Sequence, residues 1–224
     1  MSYQKLLTAS ALAGVGFGIL EVAGVIVGAA SNPVPFDTFP SAEQAARAAA
    51  TPMPAGVWIG LGMEVLATLL LVAFMVRAVD AVRGNGQALL PSVAIFAGIV
   101  NVAIIFVSFG TFAARYMGSG NGLDGHSIVL LAYLTWGTYF LSWPSAAIFI
   151  GSLSAAALGT RAFPRWVAWA GVVVAIIGIA GCLDPTNLGQ LAQLPQLLWI
   201  PAAGVALAVQ RRSAVQSPAV MMPA

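Results

Sequence analysis

The stretch AGVWIGLGMEVLATLLLVAFMV, residues 55–76, decides what kind of molecule this is. As a helix it is long enough to cross the roughly 30 Å hydrocarbon core of a bilayer. Its only charged residue is Glu64. A second stretch, GVGFGILEVAG at 14–24, repeats the arrangement with Glu21 set among apolar residues and glycines. Two of only seven acidic residues thus fall inside the most apolar segments of the chain.

The rest of the sequence belongs to the same environment. Over 224 residues the chain is 60% hydrophobic and 7% charged, whereas soluble domains carry roughly 25% charged residues. Runs of the length of 55–76 recur, and six are expected to span: about 7–30, 54–77, 88–116, 127–158, 164–183 and 189–210. The expected fold is an all-α, polytopic membrane helix bundle, a single transmembrane domain over 1–212 with an outer loop at 31–53 and a short cytoplasmic tail at 213–224. The first run is too long for a signal core and holds a glutamate, so it reads as a membrane helix.

Direction follows from the basic residues. With the N-terminus inside, Lys5, Arg77, Arg83, Arg161, Arg165, Arg211 and Arg212 lie on the inner side, and only Arg47 and Arg115 lie outside. That bias places both termini in the cytoplasm, N-in and C-in, and the multi-pass protein in a cell inner (cytoplasmic) membrane. The connections VRGNGQ at 82–87 and GTRAFPRW at 159–166 read as tight helical hairpins, with Pro164 in the first turn of the fifth span and Trp166 and Trp169 at the interface. The outer loop begins NPVPFDTFP and continues SAEQAARAAA, where Ser41 is placed to cap a short alanine-rich helix.

The polar side chains inside the spans share faces. At 100° per residue, Gly14, Gly18, Glu21 and Gly28 form one stripe of the first span, and Gly56, Gly60, Glu64, Ala67 and Thr68 one of the second. Small residues let helix backbones approach, so both glutamates point into a protein interface. The third span adds Asn101, Ser108, Thr111 and Arg115, and the fourth adds Thr135, Thr138, Tyr139 and Ser142. Pro144 predicts a kink. The sixth opens with Gln190, Gln193 and Gln196, and its Pro195 and Pro201 predict an irregular outer half. The 1.5 Å rise puts Glu21 roughly 10 Å and Glu64 about 14 Å below the outer boundary. Asn101 and Thr135 share that layer, with Arg115, Asp124, His126 and Asp184 above it, so an outward-opening polar pocket is expected. Its candidate ligand-binding residues are Glu21, Glu64, Asn101, Thr135, Tyr139 and Arg115.

Each signal has a structural counterpart. An ionisable residue at membrane depth is a functional-site hypothesis by default, while a protonated glutamate also serves to bond a neighbouring helix. Low dielectric and a nearby like charge both disfavour ionisation, so at least one carboxyl is expected to be neutral. Arg115 equally reads as a snorkelling helix-end residue, and Trp136, Tyr139 and Trp143 as packing.

Several chemistries are excluded. His126 is the only histidine, so neither a haem nor a dinuclear metal site is expected, and Cys182 is alone. No nucleic-acid, nucleotide or catalytic-serine pattern is present, and no cofactor is expected. Three roles remain: binding or transport of a small cationic or lipid-soluble molecule, an accessory subunit whose glycine-rich faces pack on a membrane protein partner, and a lipid or isoprenoid enzyme with a carboxyl general acid. The lipid bilayer is the partner common to all three.

The segment RAFPRWVAWAGVVVAIIGIAG, residues 161–181, resembles a pattern found in uncharacterised bacterial six-helix integral membrane proteins, in which Pro-Arg-Trp leads into a glycine-rich helix. The resemblance implies a bacterial inner-membrane protein and brings no site or activity with it.

Overall fold

The computed structural model describes residues 3–34, 40–83, 88–183 and 188–216. Among them the chain forms α-helices only: α1 Tyr3–Ser31, α2 Ala42–Ala50, α3 Ala55–Val82, α4 Leu89–Gly118, α5 Gly125–Thr160, α6 Arg165–Gly181 and α7 Leu188–Gln216. Four stretches are long and apolar enough to cross a membrane, namely Lys5–Ser31, Ala55–Val82, Leu89–Gly118 and Gly125–Thr160. The chain is therefore a multi-pass membrane protein. Two shorter apolar stretches, Arg165–Gly181 and Gln193–Val209, complete the bundle. At 17 residues α6 measures about 25 Å, a little less than the hydrocarbon core.

Two boundaries differ from the sequence reading. α3 continues past Arg77 because that residue is buried and its Nη1 lies 3.3 Å from Asp80 Oδ2, one turn on, while Val79 and Val82 remain in the core. A charge was taken as an end, but the ion pair carries the helix through it. α7 likewise runs unbroken through Pro195 and Pro201 to Gln216, so its expected irregular half is helix. Each proline removes one backbone hydrogen bond, and the Pro201 ring seats against Gly18 of α1, where a Cβ would stand 2.6 Å from its Cγ. α5 also remains helical through Pro144.

The long helices pack as a closed ring. α1 touches α3 and α7, α3 touches α4, α4 touches α5, α5 touches α6, and α6 touches α7. The glycine stripe of α1 is divided between two neighbours. Gly18 faces α7 and Gly14 sits between Phe74 of α3 and the Ile200 carbonyl of α7, whereas Gly24 and Gly28 meet Gly60 of α3 backbone to backbone. These glycines of α1 and α3 thus pack within the chain, whereas Gly62, Gly110 and Gly137 have nothing within 4 Å of their Cβ positions.

One end of the ring is densely packed. Ala11, Val79, Val82, Ala157, Val167 and Leu207 belong to one buried apolar cluster, drawn from the ends of five helices near Lys5, Arg77, Arg161 and Arg165. There Trp199 Nε1 donates to the Val167 carbonyl at 2.9 Å and stands edge-on to Phe163. Arg161 closes α5 in the left-handed region at φ 57°, its N–H donating to the Ala157 carbonyl. Pro164 is the N-cap of α6, one position ahead of the first turn.

The opposite end carries α2. Ser41 Oγ accepts from Gln44 N and the Gln44 side chain accepts from Ser41 N, a reciprocal cap. Ala45 and Ala48 bury against Ile128 of α5, and Gly120 N donates to the Ala49 carbonyl at 2.7 Å. α2 therefore lies on the start of α5. Residues 35–39 of the preceding loop, 84–87 of the α3–α4 hairpin, Asp184 and the tail from 217 lie outside the described residues, as do the side chains of Gln190, Arg211 and Arg212.

Candidate functional site

Between the packed end and the α2 end the ring holds a partly open cavity. It offers about 60 Å³ to the centres of water-sized molecules, several times the roughly 10–15 Å³ that a single water needs. Its walls come from α1, α3, α4, α5 and α7, with Phe17, Leu71, Phe109 and Ile200 supplying much of the apolar surface. The polar lining is Glu21, Thr68, Asn101, Tyr139, Ser142 and the two glutamines Gln193 and Gln196.

Three of the six residues singled out from the sequence meet here: Glu21, Asn101 and Tyr139. Asn101 is buried on α4 and its Oδ1 accepts from Ser145 Oγ of α5 at 3.3 Å. Tyr139 packs edge-on to Trp136 and Trp143 along α5. Glu21 has no hydrogen-bond or ion-pair partner among the described residues, so its carboxyl is available to the cavity.

The other three lie elsewhere. Glu64 occupies the α1–α3 seam, in space that exists because residue 24 is glycine: a Cβ there would stand 2.8 Å from Glu64 Cγ. It remains within electrostatic reach of Glu21, and both carboxyls reach Tyr139. Thr135 ties α5 to α4 through Thr111 Oγ1 at 2.8 Å, and its carbonyl accepts from Ser108 Oγ at 3.2 Å. Arg115 is only 3% exposed, so it does not snorkel. Its guanidinium lies over the Phe112 and Tyr116 rings, 4.8 and 4.9 Å from their centroids.

Two residues that the sequence reading left aside matter more. Trp143, read as packing, is 4% exposed and Gln196 7% exposed, and both line the cavity. Trp143 Nε1 and Gln196 Nε2 have no acceptor among the described residues. Leaving a buried donor unsatisfied costs roughly 1–3 kcal/mol, and both of these N–H groups are closed off from a water-sized molecule. Gly178 of α6 makes room for the amide, since a Cβ there would come 2.9 Å from Gln196 Nε2. The sequence signal was the Gln193 and Gln196 pair at i, i+3 between leucines, which no apolar helix face requires.

The arrangement is thus a water-sized to small-solute cavity at mid-helix depth with a partnerless carboxyl, while the Trp143 and Gln196 N–H groups are buried out of reach of a water-sized molecule. Among the described residues no three of His, Cys, Asp and Glu gather as metal ligands. The fold defines the class, a multi-pass helical membrane protein, and the cavity within it is mostly apolar with a few polar side chains in its lining. Compared with known proteins, the chain matches no family, no curated protein and no solved structure.

Proposed function

We propose that this protein binds or transports a small solute in the central cavity, as a six-span, N-in and C-in protein of the bacterial inner membrane with the cavity facing outward. The observation that carries the reading is the partnerless Glu21 carboxyl in a partly open cavity lined by five helices. A carboxyl at membrane depth is costly to keep and marks a solute or proton site by default. The asymmetry of the bundle supports the direction. Its apolar cluster fills the end with Lys5, Arg77, Arg161 and Arg165, the end that the basic residues assign to the cytoplasm, so access favours the other side. α6 and the apolar part of α7 serve as the fifth and sixth spans, short ones that fit by local thinning of the bilayer.

The test is extraction of the full chain purified from native membranes in mild detergent, followed by mass spectrometry of co-purified small molecules, for wild type and Glu21→Gln. A solute present at near-stoichiometric amount in wild type and depleted in the variant is expected. Equal retention in both, or stoichiometric protein partners with no solute, would count against the reading. Reporter fusions at the C-terminus and in the 31–53 loop check the orientation independently.

A further inference from the structure

The groups that open on the cavity narrow its occupant, and this step rests on the solute-binding reading above. Glu21 is the one charged residue of the lining among the described residues, and no lysine, arginine or histidine joins it there. The hydroxyls of the same lining do not pair with it either. Thr68 Oγ1 donates to the Glu64 carbonyl at 3.0 Å and Ser142 Oγ to the Tyr139 carbonyl at 2.6 Å, so each commits its single proton to its own helix. A carboxyl left without a partner at membrane depth is costly.

Two further groups of the lining are open. Tyr139 lies within electrostatic reach of Glu21, and its hydroxyl has no partner among the described residues. Asn101 is 6% exposed and bonds Ser145 Oγ through one end of its amide, while the other end has no partner. Neither group is sealed off as the Trp143 and Gln196 N–H groups are. A half-turn of the Asn101 amide exchanges its ends, because Ser145 Oγ accepts as readily as it donates. Helices α1, α4 and α5 thus each bring one group able to accept a hydrogen bond.

Charge and number select the ligand. An anion would meet Glu21 with no basic residue to hold it. An apolar molecule would leave the carboxyl unpaired, and a bare alkali ion would exchange its water shell for walls that are mostly apolar. A primary ammonium carries one positive charge and three donors, one for each of the three groups. Space of about 60 Å³ is room for roughly four to six water-sized centres, which suits a molecule of a few heavy atoms.

We propose that the cavity is a site for a small primary alkylammonium, its nitrogen bound by Glu21, Tyr139 and Asn101 and its alkyl end covered by Phe17, Leu71 and Phe109. The bound state is the same whichever form arrives. A carboxylate takes up the ammonium, or a neutral carboxyl takes up the neutral amine, and either way one proton lies between oxygen and nitrogen.

The experiment compares isopropylammonium with isopropanol and acetate, probes of similar size that each carry a methyl group. Saturation-transfer NMR on those methyl groups is run on the purified full chain in mild detergent and an amine-free buffer. Isopropylammonium is expected to bind saturably, and the other two not to bind at equal concentration. Glu21→Gln keeps the shape and removes the charge, and should weaken isopropylammonium about tenfold to hundredfold, the span of a charge-assisted hydrogen bond. Tyr139→Phe should weaken it about twofold to tenfold. Glu64→Gln, outside the lining, should weaken it less than Glu21→Gln does. Thermal unfolding confirms that the variants fold, and the comparison of probes on the wild type stands whether or not they do. Unchanged binding in folded Glu21→Gln overturns the assignment. Equal binding of isopropanol, or preference for acetate, overturns the cation and leaves solute binding standing. Displacement of isopropylammonium by sodium at equal concentration overturns the organic cation in favour of a bare ion. Saturable binding of none of the three probes also overturns the ammonium, and the co-purification test then decides the broader reading separately.

Discussion

Replacing Gly60 by alanine tests whether the α1–α3 seam beside both glutamates is held at backbone contact. A Cβ at residue 60 would lie 2.7 Å from three atoms, the Gly24 carbonyl oxygen and the Gly28 Cα and N. All three are backbone, so no rotamer change relieves the clash. Restoring a contact of about 3.5 Å requires the helices to part by roughly 0.8 Å, a gap that forfeits a quarter to a half of each dispersion contact along the seam. Overpacking of this kind costs about 1–3 kcal/mol. Alanine also gains up to about 1 kcal/mol of helix propensity over glycine, which masks part of the loss. Gly62→Ala supplies the control, because it lies in the same helix with nothing within 4 Å of its Cβ position. The difference between the two variants isolates the seam. Gly60→Ala should be less stable than Gly62→Ala by about 1–3 kcal/mol, or about 2–12 °C in melting temperature for a chain of this size. Thermal unfolding of both in the same detergent measures it. Equal melting temperatures would show that the helices do not approach as described, and the position assigned to Glu64 would fall with them.

Gly171→Ala should be at least as damaging, by about 3 kcal/mol, since its Cβ would run into Ser154 Oγ and stand 2.7 Å from Trp199 Nε1. Loss of the blue-shifted emission of buried Trp199 on mutation would report the broken Trp199–Val167 bond. Arg161→Gly should raise stability by up to about 1 kcal/mol in a chemical or thermal melt, because glycine adopts the φ of 57° without a Cβ penalty. Asp124 caps α5 by accepting from Ser127 N at 2.8 Å, and that bond holds its carboxyl below the usual aspartate range. The cap's contribution is present above the unfolded pKa and is lost as pH falls through the folded one. Asp124→Ala should therefore melt below wild type at neutral pH, with the gap closing in acid; a gap that persists unchanged at low pH would contradict the cap.

The sequence by itself determined the environment and the elements. Sparse charge and long apolar runs leave only backbone-satisfied helices as a solution in lipid, so all of the long helices were legible, with an end misplaced where Arg77 looked like a stop and an irregular half expected at Pro195 and Pro201 where the helix is continuous. The Ser41 cap was legible because capping is local chemistry among neighbours in sequence. That Glu21 and Asn101 share one level of the bundle was legible for a similar reason, since the rise per residue is fixed.

Which polar groups share a space was decided only by the tertiary structure. Helical periodicity put Thr135 and Arg115 at a plausible height, but the rotation of α4 against α5 turned Thr135 into the bond between them, and the Phe112 and Tyr116 rings took Arg115. The same limit applied to Trp143 and Gln196. Trp143 read as packing and Gln196 as one of the glutamines that open its span, until the ring of helices closes and leaves their N–H groups facing no acceptor, because satisfaction of a buried donor depends on the neighbouring helices and not on its own.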